Sequence, residues 1–288
     1  MIAHVAEASE ASGRVLLWLN QGPLLGSESL DAPVRVAAAY GSELETVVFE
    51  APDLSDIGEL PIRFVTMRGK ASGNMPNQNR MISKVLNNLT ERQRREIDLS
   101  AARSGVVVTH ATAHGDVIDR LAEMCLERGP WNIIAVSRSR ASDLGPVLNS
   151  IFANVSGATG VVVSGNGDRA MRADVAVVLE DAERMPSMVR AAERLVMAGG
   201  RIHVFVAVET ATQFLELDTH MRLLTAGAPH IVHAKSSATF GVSGAFDEAL
   251  CKMHPSFIIA RYGGTLLPDA RALSRLLTLS PAPCLLVR

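Results

Sequence analysis

Eight histidines, three cysteines and two short motifs, one glycine-rich and one arginine-rich, are the residues of this 288-residue chain with the most obvious chemistry. His110 and His114 stand four apart, a spacing that on a helix turns two imidazoles toward one metal. They follow the apolar Val106-Val107-Val108, however, so they flank a strand end, and no Glu-x-x-His helix accompanies them. His230 and His233 surround a second apolar run, and strand alternation puts them on opposite faces. Both pairs read as strand-end polar residues, and no metal site is predicted. Gly165-Asn166-Gly167-Asp168-Arg169-Ala170 has the G-x-G-x-x-A spacing of a dinucleotide turn. That turn needs a helix start to meet the pyrophosphate, but strand-like Asp174–Leu179 follows at once, so the segment reads as a linker. Cys125, Cys251 and Cys284 are too few and too scattered for a disulfide framework or a cysteine zinc site. All three are expected to be inert core residues of a protein in a reducing compartment. Arg92-Gln93-Arg94-Arg95-Glu96 interleaves with Glu91 and Asp98 and reads as a solvated helix face. There is no G-x-S-x-G, P-loop, His-Glu-x-x-His or Ser-Gly-Gly loop, and no nucleophile with an adjacent base can be assigned.

The whole chain narrows the partners. Lys and Arg number 28 against 30 Asp and Glu, a formal charge of -2, which argues against nucleic acid and anionic membranes as partners. At 48% hydrophobic residues, there is ample material for packed cores. No apolar stretch approaches the roughly 20 residues of a spanning helix. Met1–Ser12 lacks a basic segment followed by an apolar run, so a cytoplasmic location is expected.

Short apolar runs must supply the frame. Val15–Leu19, Thr46–Phe49, Val106–Thr109, Ile133–Val136 and Val161–Val163 are rich in Val, Ile and Leu, the pattern of strands covered on both faces. Helical spacing lies between them at Leu30–Tyr40, Met81–Arg103 and Asp116–Arg128. The order then repeats: strands at Val175–Leu179, Ile202–Val208, Ile231–Ala234, Phe257–Ala260 and Cys284–Val287, helices at Pro186–Ala198, Thr212–Thr225, Ala245–Met253 and Asp269–Leu277. Strand and helix alternate, which predicts a doubly wound parallel sheet.

Internal similarity supports duplication. Pro130-Trp131-Asn132-Ile133-Ile134-Ala135 resembles Pro255-Ser256-Phe257-Ile258-Ile259-Ala260, 125 residues further on, and Glu123 and Glu248 share that offset. Val15 and Val175 match at 160, so the first copy is the longer, with much of its excess in the Pro- and Gly-marked Ala51–Asn79. The expected domains are residues 1–168 and 169–288, joined near Gly165–Arg172. A single continuous ten-stranded sheet would make the two-copy reading wrong.

Each half resembles a universal stress protein domain, of the adenine nucleotide alpha hydrolase-like group. The resemblance rests on Arg14-Val15-Leu16-Leu17-Trp18-Leu19-Asn20 and Asp174-Val175-Ala176-Val177-Val178-Leu179-Glu180, on Gly115-Asp116, on the fourth strands, and on Pro281-Ala282-Pro283-Cys284-Leu285-Leu286-Val287-Arg288. It implies two tandem five-stranded parallel α/β domains. It also implies that Thr159–Val163 and Pro283–Val287 pair within the chain as a built-in dimer, removing two apolar edges.

The resemblance further implies a site for ATP or another adenine nucleotide, built from an acid after strand one and a G-x2-G-x9-G-[ST] loop after strand four. Here Asn20 replaces the acid, Ser137 and Arg140 replace the first two glycines, and Asn149-Ser150 best match the closing pair. Arg138, Arg140 and Ser150 remain suited to an anion. In the second copy Glu180 keeps the acid, but Arg261-Tyr262-Gly263-Gly264 runs into Pro268 with too little chain for loop and helix together. The site residues expected from the resemblance are thus Asn20, Ser137, Arg138, Arg140, Asn149, Ser150 and Glu180. The expected role is a stress-response binding or interaction module that takes a small ligand, with protein partners or a homo-oligomer. Its nucleotide is disfavoured by the loops, and catalysis is not assigned. The alternative is an ATP-binding protein or ATPase of the same fold group.

Overall fold

Runs of Val, Ile and Leu shielded on both sides form the centre of the structure, a computed structural model that describes residues 13–19, 28–49, 78–129, 131–136, 144–164, 173–233 and 243–288. In the first half these are β1 (Arg14–Leu19), β2 (Glu43–Phe49), β3 (Val108–Ala113), β4 (Asn132–Val136) and β5 (Ala158–Val163). The second half holds β6 (Val175–Leu179), β7 (Ile202–Val206), β8 (Ile231–His233), β9 (Phe257–Arg261) and β10 (Cys284–Val287). The order across the sheet is β3-β2-β1-β4-β5-β10-β9-β6-β7-β8. Each half therefore has the same internal order, and each reverses direction of winding between its first and fourth strands.

All neighbours are parallel except β5 and β10, which run antiparallel with Gly160–Val163 opposite Val287–Cys284. The sheet is thus continuous over ten strands, the outcome expected to make the two-copy reading wrong. Its continuity comes from the expected pairing of the two last strands, however, and the mirrored order on either side preserves two copies. Pairing at this seam removes two apolar edges that would otherwise invite association.

Among the described residues eight helices cover the sheet: α1 (Glu28–Tyr40), α2 (Gln78–Ser104), α5 (Met185–Leu195) and α6 (Ala211–Leu224) pack on one face. On the other lie α3 (Val117–Glu127), α4 (Leu144–Asn154), α7 (Ser243–Met253) and α8 (Ala270–Leu279). Helix α4 is additional to those predicted. β3 begins two residues later than predicted because it is an edge strand, where Val107 is exposed and polar Thr109, His110 and Thr112 continue the strand past the apolar run.

The register corrects the internal alignment. Val15 pairs with Ile133 and Val175 with Phe257, so Ile133 and Phe257 are equivalent, at an offset of 124 rather than 125. Both sit in the core on the α1/α5 face, whereas Ile134 and Ile258 face the other way. The 125 offset holds in the preceding helices, where buried Leu121 and Cys125 correspond to Phe246 and Leu250. It extends to the left-handed residues that end them, Gly129 (φ 67°) and His254 (φ 48°). The connection into β9 is one residue shorter, and a one-residue slip exchanges the faces of a strand.

The same helical alignment corrects the expectation for the cysteines. Cys125 and Cys284 are buried, but Cys251 is exposed. Leu250 takes the inward position of Cys125, and the next residue lies about 100° round the helix.

The first-strand starts carry matched pairs of reversed polarity. Arg14 donates to Glu45 and to the carbonyl of Met124. At the equivalent positions, Asp174 accepts from His203 Nε2 at 3.2 Å and from the Arg201 backbone at 2.9 Å.

Candidate functional site

The C-terminal ends of the strands at each winding reversal are where a doubly wound sheet leaves a crevice for ligand. In the first half this point lies beyond β1 and β4. Asn20, Ser137, Arg138 and Arg140 fall outside the described residues, as do the link Gly165–Arg172 and most of Ala51–Asn79. Asn149 and Ser150 are described and lie within α4, which begins at Leu144. They therefore sit past its first turn instead of at its start, and their backbone N–H groups belong to the helix interior. The side chain of Asn149 accepts the phenol of Tyr262 at 2.8 Å, and Tyr262 stacks on Phe152 with ring centroids 5.2 Å apart. Burial, reinforced by the charge of Asp269, raises the Tyr262 phenol above its usual value, which keeps it a neutral donor. Asn149 thus joins the two halves.

The second half is described completely at the corresponding point. Glu180 follows β6, and its carboxylate accepts the backbone N–H groups of Thr265 and Leu266, each at 2.9 Å. The loop between them and β9 is tight: Gly263 has φ 77° and donates its N–H to the Leu267 carbonyl at 2.8 Å. At Gly264 a Cβ would collide with the Glu180 carboxylate. Asp181 lies beside Arg184 at 2.9 Å and Arg261 at 3.5 Å. At the start of α8, the Asp269 side chain accepts the N–H of Ala272 at 2.8 Å. Glycine-rich amides and a helix start are the two backbone features that hold phosphates. In this half each is engaged by a carboxylate of the chain itself.

One cluster has the order of hydroxyl, imidazole and carboxylate. Thr46 Oγ1 is 2.6 Å from His110 Nδ1, and His110 Nε2 is 3.1 Å from Asp98. A hydrogen-bonded hydroxyl–imidazole–acid series is the arrangement that activates a nucleophile, but Thr46 is 0% exposed inside β2. Its oxygen meets no substrate. The ring nitrogens face the Thr46 hydroxyl and the Asp98 carboxylate, and the series ties β2 and β3 to α2. The spacing of His110 and His114 gave no hint of this, because both partners are remote in sequence. Among the described residues no group of three His, Cys, Asp or Glu is placed to hold a metal, and no helix is long and apolar enough to cross a membrane.

The architecture matches solved structures over almost its whole length. A universal stress protein from Archaeoglobus fulgidus DSM 4304 is 13% identical, with a TM-score of 0.60 over 96% of this chain and 97% of that one. A functionally unknown protein from Pseudomonas aeruginosa PAO1 is 14% identical, with a TM-score of 0.56 over 96% and 93%. The cytoplasmic domain of a prokaryotic cation chloride cotransporter is 10% identical, with a TM-score of 0.54 over 96% and 95%. No protein-family model and no curated protein matches the chain. The chain has the universal stress protein fold, duplicated across a single sheet. That fold is found in proteins of different kinds, so it does not by itself assign an activity.

Proposed function

We propose that this protein is a two-domain binding module, residues 1–168 and 169–288, in which the second domain is a closed structural copy and the first carries the small-ligand site. The observation that supports this reading is the engagement of the second domain's backbone donors by Glu180 and Asp269. A phosphate there would have to displace a carboxylate already holding two amides. Glu180 is accordingly a structural group, and the ligand-bearing set is Asn20, Ser137, Arg138, Arg140 and Ser150. Arginines suit an anion through their paired N–H donors, whereas the missing glycines argue against a nucleotide triphosphate. A cytoplasmic protein with protein partners or a homo-oligomer, acting in a stress response, goes with this reading.

The test is to denature the purified full chain and analyse the supernatant by ion-pair chromatography. Substoichiometric ATP, ADP and AMP is the expected result. One mole of adenine nucleotide per mole of chain overturns the reading in favour of an ATP-binding protein or ATPase.

A further inference from the structure

The two faces of the β5/β10 seam are covered differently. On one, α4 and α8 meet so closely that a Cβ on Gly145 would lie 2.5 Å from the Cβ of Ala270. On the other, between α1 and α5, a cavity of about 380 Å³ remains, within the roughly 300–1,000 Å³ range of small-molecule pockets. Four arginines and no Asp or Glu line it among the described residues; of these, Arg184 is paired with Asp181 and the Arg288 guanidinium donates to the carbonyls of Phe152 and Ser156. In a chain of formal charge -2, this is a local concentration of positive charge.

Helix geometry produces the concentration. Arg190 and Arg194, four apart on α5, share the side of the helix turned to the seam, and Arg184 joins them from the residue just before the helix. Their states differ. Arg184 is held by Asp181 and by the Arg288 carbonyl at 2.7 Å. Arg194 lies over the Tyr40 ring, 4.9 Å from its centroid. Arg190 donates Nε–H to the Pro186 carbonyl at 3.3 Å and makes no ion pair with any described residue. Its two terminal nitrogens are available to an incoming anion.

The remaining walls are apolar. Tyr40 and Trp131, with ring centroids 5.3 Å apart, come from the first half. Leu285 and Val287 of β10 and the bare backbone of Gly160 lie against the seam. Aromatic rings and a side-chain-free strand residue accommodate a flat apolar body, and a guanidinium fork binds a planar or tetrahedral anion through two donors.

We propose that the seam cavity binds a planar aromatic molecule carrying a carboxylate or a phosphate. Such a ligand spans both halves, with its ring against Tyr40, Trp131 and the seam strands, and its anion at Arg190 and Arg194. It is independent of the first-domain site proposed above.

Isothermal titration calorimetry on the full chain at low salt tests this with 2-naphthoate, 2-naphthyl phosphate, neutral 2-naphthol and inorganic phosphate. One-to-one binding of at least one aromatic anion is expected, and the stronger of the two identifies the headgroup. Naphthol and inorganic phosphate should each bind about tenfold more weakly or worse. Arg190→Ala should weaken the anion about tenfold with unchanged thermal melting, and Arg92→Ala on the exposed face of α2 should leave affinity as it was. Absence of binding by both aromatic anions, equal binding of naphthol, or an unaffected Arg190→Ala variant overturns the proposal.

Discussion

Glu180 holds the backbone N–H of Leu266 at 2.9 Å, and with its second oxygen that of Thr265 at the same distance. Glu180→Ala leaves both amides to water or to nothing, and loss of bonds to a charged acceptor costs about 1.5–3 kcal/mol each, less where water replaces them. The expected result is a lower urea midpoint together with faster hydrogen exchange at Thr265 and Leu266. Unchanged exchange at those two amides would show that the carboxylate does not close the loop.

His254 is the non-glycine residue with positive φ among those described, at 48°. Its counterpart in the first half is Gly129, at 67°. A side chain in the left-handed region costs about 1–2 kcal/mol, partly offset by the greater freedom of glycine in the unfolded chain. His254→Gly should raise the urea midpoint with no change in its slope. A lower midpoint would mean that the imidazole makes a contribution larger than this strain.

Gly145 permits the close approach of α4 to α8. Gly145→Ala should destabilise the fold by about 1–3 kcal/mol through overpacking, because a Cβ there would meet Ala270. Ala270→Gly in the same chain should restore part of the loss. An additive double mutant would place the cost elsewhere.

Arg14 and Asp174 start equivalent strands with opposite charge, but their surroundings differ. Glu45→Ala strands a guanidinium whose side chain is 4% exposed, a loss of about 3–5 kcal/mol. Asp174→Ala, at a site whose two side chains are each 23% exposed, should cost less, about 1 kcal/mol for each hydrogen bond lost. Parallel denaturation curves of the two variants measure the contrast.

Burial pushes the thiols of Cys125 and Cys284 up to about 11 and about 12 from 9.0. Under native conditions at neutral pH, a thiol reagent should modify Cys251 alone, with the other two reacting on unfolding. The unfolded state releases these thiol protons at lower pH than the folded one, so their contribution to stability is intact below pH 9 and is lost as pH rises through 11 to 12. Between pH 9 and 11, stability should fall less steeply in a Cys125→Ala variant than in the parent; identical slopes would exclude this linkage.

Much of the fold is legible in single runs of residues. Val175–Leu179 is a continuous apolar pentapeptide, and it is buried throughout. The amphipathic α5 and α8 show their inner faces at helical spacing. Where a strand is at an edge, as with β3, the apolar run and the strand no longer coincide, because only one side of the strand is paired. Cys251 is exposed despite its apolar neighbours, because apolar context along the chain does not reveal which way a helix turns.

The site was less legible. Glu180 is recognisable as an acid after a first strand, but its bonds to Thr265 and Leu266 join residues 85 and 86 positions apart. The Thr46–His110–Asp98 series and the Asn149–Tyr262 bond are likewise long-range.

The sequence by itself determined the alternation of strand and helix, the two copies and their unequal lengths, since these follow from local patterning repeated along one chain. Only the tertiary structure decided that the last strands run antiparallel into one sheet, that Phe257 rather than Ile258 answers Ile133, and that arginines of the second half face aromatic rings of the first across the seam. Register and charge clustering depend on which distant segments become neighbours, and that is set by packing of the whole sheet rather than by any local run.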